Sequence, residues 1–155
     1  MVSVEDIKVI FLDVDGVLNS QEYWDRVGSA FRERFNQIDV DKIVLLNQII
    51  EATQAKIVIS SCWRLLHYEE LLDILSKKGL VGEIIGMTPS LSLVRGLEIQ
   101  KWLDGNPNVT RFVILDDSDD MEHLDGHLIQ PNFYSNGLKL KHVEASIAHL
   151  NREIL

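Results

Sequence analysis

Short apolar runs punctuate this chain, each followed by a polar cluster and then by apolar residues at helical spacing. Val9-Ile10-Phe11-Leu12, Ile57-Val58-Ile59 and Arg111-Phe112-Val113-Ile114-Leu115 are short and almost uniformly apolar. They predict strands buried on both faces, as in a parallel sheet covered by helices. Glu83 to Met87 and His127-Leu128-Ile129 predict weaker strands. Between them, Asp39 is placed to cap a helix with Val40, Ile43, Val44, Leu46 and Ile50 on its apolar face. Leu65, Tyr68, Leu71 or Leu72, and Leu75 mark a second helix that Lys77-Lys78-Gly79 stops. A third opens at Arg95 or Gly96, runs through Trp102 and Leu103, and closes at Gly105-Asn106-Pro107. A last helix carries Leu140, Val143, Ile147 and Leu150 on one face. Residues 20–38 show no clear period and predict a loop or small flap; loops are also expected after Thr88-Pro89 and from Pro131 to Gly137. Strands alternating with helices predict an α/β chain with helices on both sides of a mostly parallel sheet. The length of 155 residues suits one domain spanning 1–155.

The polar clusters that end the strong strands carry the chemistry. The first strand runs into Asp13-Val14-Asp15-Gly16, the second into Ser60-Ser61, the third into Asp116-Asp117. Side chains alternate along a strand, so Asp13 and Asp15 point the same way as long as extension continues. In a parallel sheet all three ends face one edge, where open α/β sheets place their ligands. Converging carboxylates make a hard oxygen site suited to Mg²⁺. A hydroxyl and a free N–H at a strand-to-helix junction suit a phosphate oxygen. A cation at the Arg95 helix start would complete the neutralisation.

A hydrophobic content of 46% and a charged content of 25% are ordinary for a globular chain. The formal net charge of −9 disfavours a broad grip on nucleic acid, which needs a basic stripe, without excluding a local basic site. Asp13, Asp15, Asp116, Asp117, Asp119 and Asp120 supply part of that imbalance. One cysteine, Cys62, permits no internal disulfide. There is no basic segment leading into a long apolar core at the start, and no apolar stretch of the ~20 residues a spanning helix requires. A cytoplasmic protein with no membrane partner is expected.

Taken together, these motifs resemble the haloacid dehalogenase (HAD) superfamily of phosphohydrolases. Asp13-Val14-Asp15-Gly16 matches its first motif, Ile57-Val58-Ile59-Ser60 its second, Arg95 its third (more often Lys), and Asp116-Asp117 its fourth. The finer likeness is to small HAD domains associated with nucleic-acid repair proteins. It rests on Asp-x-Asp-Gly-x-x-Asn, Ser-Ser-x-Trp-Arg at 60–64, Arg-Gly-x-Glu-Ile at 95–99, Trp102-Leu103 and Gly137-Leu138. The resemblance implies a Rossmann-like three-layer sandwich with a minimal cap or none, and a Mg²⁺-dependent phosphatase. It implies that Asp13 attacks phosphorus to form an aspartyl-phosphate, with Asp15 as general acid and then base. It implies phosphate held by Ser60, with Ser61 sharing the role or capping the helix, and by Arg95 in preference to the mid-helix Lys101. It implies metal held by Asp13, the backbone carbonyl of Asp15 and Asp116, with Asp117 acting directly or through water; Asp119 and Asp120 are either further contacts or a solvated loop. Arg64 either reaches phosphate or lies on the surface. Cys62 is expected as a small buried hydrophobe and the five histidines as surface or packing residues.

Two rivals come from other classes. A receiver-like signalling module also phosphorylates an aspartate, but places its acidic pair after the first strand and its acceptor after a later one. A non-catalytic HAD-like binding module would keep the fold without turnover, although nothing needed for turnover is missing here. For substrate, residues 20–38 offer Tyr23, Trp24, Phe31 and Phe35 interleaved with Arg26, Arg32 and Arg34. That mixture suits a terminal phosphate on a nucleotide or polynucleotide end. A small phosphorylated metabolite or a phosphoprotein is the alternative, with the aromatics serving as packing.

Overall fold

The computed structural model of the chain describes residues 5–91 and 94–152. Five parallel strands form one sheet in the order β3-β2-β1-β4-β5: β1 (Ile7–Leu12), β2 (Lys56–Ile59), β3 (Ile84–Met87), β4 (Val109–Leu115) and β5 (Leu128–Ile129). The strongest apolar run lies at the centre, with Leu12 in register with Ile59 on one side and Leu115 on the other. The sheet grows outward from β1 first through β2 and β3 and then, on the other side, through β4 and β5. The switch point therefore falls at the carboxyl ends of β1 and β4, where both acidic clusters begin.

Alternation along β1 divides the core into two layers. Ile10 and Leu12 face one apolar cluster together with residues of α2 (Val40–Thr53), α3 (Tyr68–Lys77) and α5 (Leu140–Leu150). Val9 and Phe11 face the other, built on α4 (Arg95–Asp104) and the short 3-10 helix Glu122–His127. Helices on both faces of a parallel sheet make the three-layer, Rossmann-like α/β sandwich that the sequence predicts.

Several details differ from the periodicity. Residues 20–38 are a helix, α1 (Gln21–Val27), followed by two 3-10 turns, Gly28–Arg32 and Arg34–Gln37. The helix was not legible because it buries no residue and so carries no apolar stripe. In α2 the buried face is Ile43, Leu46, Ile49 and Ile50, whereas Val40 and Val44 are about half exposed. Leu65 sits in a 3-10 turn, Cys62–Leu65, that precedes α3, and it too is exposed. Leu140, at the start of α5, is also exposed. The Thr88-Pro89 loop is described through residue 91, and its positions 92–93 lie outside the described residues. Among the described residues no helix is long and apolar enough to cross a membrane.

Candidate active site

At the end of β1 the backbone leaves the sheet at Asp13 and turns at Gly16, whose φ is +85°. Any side chain there would collide with the Asp117 carboxylate, so glycine serves both the turn and the close approach of the two acidic loops. Asp13, Asp15, Asp116 and Asp117 thereby line one cleft of about 360 Å³, which Ser61, Cys62, Arg95 and Ser118 complete.

Asp13 and Asp116 are both buried, at 7% and 0% exposure. Arg95 answers them: its Nη1 donates to Asp116 Oδ2 at 2.6 Å and lies 3.4 Å from Asp13 Oδ1. Lys101 lies exposed toward the other end of α4, so the cation in the cleft is Arg95. Burial, and then the Asp116 charge, push the Asp13 pKa up to about 7, against the pull of Arg95. Burial raises Asp116 as well, opposed by Arg95. For Arg95, burial acts to lower the pKa, but the two carboxylates outweigh it and hold the guanidinium protonated.

Asp15 stands at the exposed side of the cleft, yet its carboxylate is held on both oxygens. Asn19 Nδ2 donates to Oδ1 at 3.0 Å and Trp63 Nε1 approaches Oδ2 at 3.4 Å. The fully buried Asn19 also accepts from the Gly16 N–H and donates to the Gln37 carbonyl, which locks the turn to the flap. The signal for this role was present in the Asn of the first motif and the Trp of Ser-Ser-x-Trp-Arg.

The second strand end resolves its two serines. Ser61 lines the cleft, where its Oγ accepts the Trp63 N–H at 3.2 Å and keeps its own proton to donate. Ser60 is buried, its hydroxyl has no hydrogen-bond partner among the described residues, and it is not part of the cleft wall. Arg64 is neither at the cleft nor on the surface. It is buried, pairs with Glu98 at 2.9 Å, and donates to the carbonyls of Ser60, Ser61 and Thr88. Cys62 is exposed, contrary to expectation, with Arg95 Nη2 3.5 Å from its sulfur.

Asp117 accepts the Phe133 N–H at 3.0 Å. Asp120 is outside the cleft wall: its side chain takes the Ser118 hydroxyl and the Arg95 N–H, and its carbonyl takes the Gly96 N–H. It therefore caps α4, a helix that Val94 cannot cap with its own side chain, and so fixes the base of Arg95.

Among the described residues no group of three or more His, Cys, Asp or Glu side chains that could hold a metal ion is assembled. Asp13 and Asp116 nevertheless bring two buried carboxylates against a single guanidinium, which leaves negative charge in excess. A cation that keeps several waters and takes only one or two protein carboxylates fits that donor set, and Mg²⁺ is such a cation.

The flap keeps few of its side chains free. Phe31 is buried, Tyr23 donates to the Ile38 carbonyl, and Phe35 lies under the Lys78 ammonium. Arg26 lies over the Tyr23 ring and near Asp39, and Arg34 pairs with Glu70. Trp24 and Arg32 remain exposed.

A family model described as the HAD domain in Swiss Army Knife RNA repair proteins matches residues 9–143. No curated protein and no solved structure matches the chain.

Proposed function

The chain belongs to the family of HAD domains found in Swiss Army Knife RNA repair proteins, and from that premise we propose that it is a single-domain, Mg²⁺-dependent phosphatase acting on nucleotide or polynucleotide ends through an aspartyl-phosphate. The observation that carries this reading is Asp13, buried against Asp116 and Arg95, with Asp15 two residues on and fixed at the cleft mouth by Asn19 and Trp63.

In the first half-reaction a carboxylate oxygen of Asp13 forms a bond to phosphorus as the ester P–O bond breaks, and Asp15 gives its proton to the departing alkoxide. In the second, Asp15 takes a proton from water, the water oxygen bonds to phosphorus, and the acyl phosphate bond breaks to return the Asp13 carboxylate and inorganic phosphate. Ser61 donates its hydroxyl proton to a phosphoryl oxygen, and Arg95 shifts part of its charge from Asp116 to the same group. Ser60, the phosphate ligand expected from the second motif, stands directly behind Ser61 with its buried hydroxyl unpartnered among the described residues, and Ser61 is the serine that lines the cleft. Mg²⁺, when bound, neutralises charge on the phosphoryl oxygens. Asp13, Asp116 and the Asp15 carbonyl would be its protein donors, and Asp117 would act directly or through water. Asp117 also joins the two acidic loops to the residue 132–137 segment.

Two features favour a nucleic-acid end as substrate: the short flap leaves Asp15 and Cys62 exposed, so a large leaving group can approach, and the family is described in RNA repair proteins. The test is phosphate release, with and without a chelator, from 3′- and 5′-phosphorylated oligonucleotides, mononucleotides, sugar phosphates and phosphopeptides. Preference for an oligonucleotide supports the reading. A hundredfold preference for a sugar phosphate or phosphopeptide, about 2.7 kcal/mol in transition-state binding, removes the nucleic-acid part and leaves the phosphatase.

A further inference from the structure

We propose that Trp24, Phe133 and Tyr134 form a stacking ledge for the nucleobase next to the scissile phosphate of a single-stranded RNA end, with Arg32 on its far rim for the following phosphate. The proposal rests on the phosphatase reading above, in which the terminal phosphate occupies the Asp13 cleft.

The ledge joins two segments far apart in sequence. Trp24 lies parallel to Phe31, with ring centroids 4.8 Å apart and 12° between planes. Phe31 is buried and acts as a floor, while Trp24 stays 46% exposed. Phe133 meets Trp24 edge-on at 6.2 Å, and Tyr134 meets Phe133 edge-on at 5.2 Å. Tyr134 is 81% exposed. Two exposed rings joined through the half-buried Phe133 cost solvation and mark a contact surface.

The rings are held in place, and from both sides the holding groups lead to the catalytic acids. Asn132 Oδ1 accepts the Tyr134 N–H, and Asp117 in the cleft wall accepts the Phe133 N–H. At the other side lies a depression of about 450 Å³ lined by Trp24, Phe31, Arg32 and Gln37. The Gln37 carbonyl is bound by Asn19, which also positions Asp15. Phe133 of the ledge is thus a single hydrogen bond from Asp117, and Gln37, in the wall of the depression that Trp24 also lines, is two from Asp15.

The chemistry of the ledge fits a base. Every base has a flat face that stacks on an aromatic ring, so such a platform binds strands without reading sequence. Arg32 is exposed and makes no ion pair among the described residues, unlike Arg26 and Arg34. A guanidinium at that rim meets a backbone phosphate with two donors in one plane. One local cation beside three rings reconciles strand-end binding with a net charge of −9.

The experiment uses short single-stranded RNAs ending in a methylenephosphonate, which carries the charge and resists hydrolysis, with either a normal or an abasic terminal nucleoside. Affinities are measured for wild type, Trp24→Ala, Trp24→Phe and Tyr134→Ala. Wild type is expected to prefer the base-bearing strand by about tenfold, or about 1.4 kcal/mol. That ratio should fall to near one in Trp24→Ala, persist in Trp24→Phe and shrink in Tyr134→Ala. A wild-type ratio of one, failure to bind either strand, or a ratio unchanged in Trp24→Ala overturns the ledge. Wild-type hydrolysis of acetyl phosphate, which has no ring to stack, is measured separately. Failure there contradicts the phosphatase reading and leaves the base-dependent ratio to decide the ledge.

Discussion

Arg64 and Glu98 form an ion pair at 2.9 Å with both side chains under 10% exposed, and it ties the end of β2 to α4. Arg64 also gathers four backbone carbonyls, of Ser60 and Ser61 after β2 and of Thr88 and Pro89 after β3, and Glu98 accepts the Leu91 N–H, so the pair sets the spacing between Ser61 and Arg95. Removing one partner leaves a buried charge uncompensated, at a cost of about 3–5 kcal/mol. Arg64→Met and Glu98→Gln are each expected to lower the unfolding free energy by that scale, with a correspondingly lower denaturation midpoint. The double variant Arg64→Met/Glu98→Leu should recover part of the loss, and chemical denaturation of the three proteins checks it.

Asn19 is expected to separate positioning from binding. Asn19→Ala frees Asp15 Oδ1 and leaves the Gly16 N–H and Gln37 carbonyl without their partner, each such loss costing about 1–3 kcal/mol. Turnover should fall by roughly ten- to a hundredfold, within the range a misplaced acid/base can cost. KM for a small phosphate ester should stay within a few fold. A variant with lower stability and normal kcat would confine Asn19 to the fold.

The acid limb of stability should depend on His142. It is buried at the start of α5, its Nδ1 accepts the Lys139 N–H at 2.9 Å, and burial followed by Lys141, Lys139 and Lys42 lowers its pKa to about 4. The fold therefore favours the neutral ring. Above its ordinary pKa of 6.5 that preference costs nothing; as pH falls from about 6.5 to about 4 the unfolded chain takes up the proton first and stability is lost. The loss should reach on the order of 1–3 kcal/mol. His142→Gln, which can still accept the N–H, should flatten that part of the pH–stability curve measured by urea titration.

Metal binding should stabilise the fold. Among the described residues Arg95 alone is set between Asp13 and Asp116, and negative charge remains in excess at the cleft. Mg²⁺ at a hundred times its Kd should add about 2.7 kcal/mol and raise Tm. Calorimetry with millimolar Mg²⁺ and with chelator checks this. An unchanged Tm together with full activity in chelator would take the metal out of the mechanism.

The sheet was legible because β1, β2 and β4 are buried on both faces and leave nearly unbroken apolar runs. The gathering of Asp13, Asp15, Ser61, Arg95, Asp116 and Asp117 at one cleft followed from parallel strands sharing an edge. What the sequence hid was side-chain pairing across elements. Arg64 looked like a surface or phosphate residue because its partner Glu98 lies 34 positions away. Asp120 read equally as a further metal contact or as part of a solvated loop, because its bond to the Arg95 N–H, which caps α4 from a distant loop, spans 25 positions. The flap's aromatics could not be sorted by composition, since burial of Phe31 and exposure of Trp24 depend on which ring packs beneath the other. Phe133 and Tyr134, in what read as a plain loop, gave no local signal at all.

Nucleophilic attack by Asp13 is tested most directly by quenching the wild-type protein in acid during turnover of an aryl phosphate with Mg²⁺, and locating phosphate in its peptides by mass spectrometry, beside the same reaction with Asp13→Asn. The predicted result is acid-stable, alkali-labile phosphate on the peptide bearing Asp13, with Asp13→Asn folded, unlabelled and slower by at least about a thousandfold, the scale on which loss of a covalent nucleophile acts. Near-normal turnover by Asp13→Asn at saturating Mg²⁺, or phosphate trapped on a different residue, would contradict it.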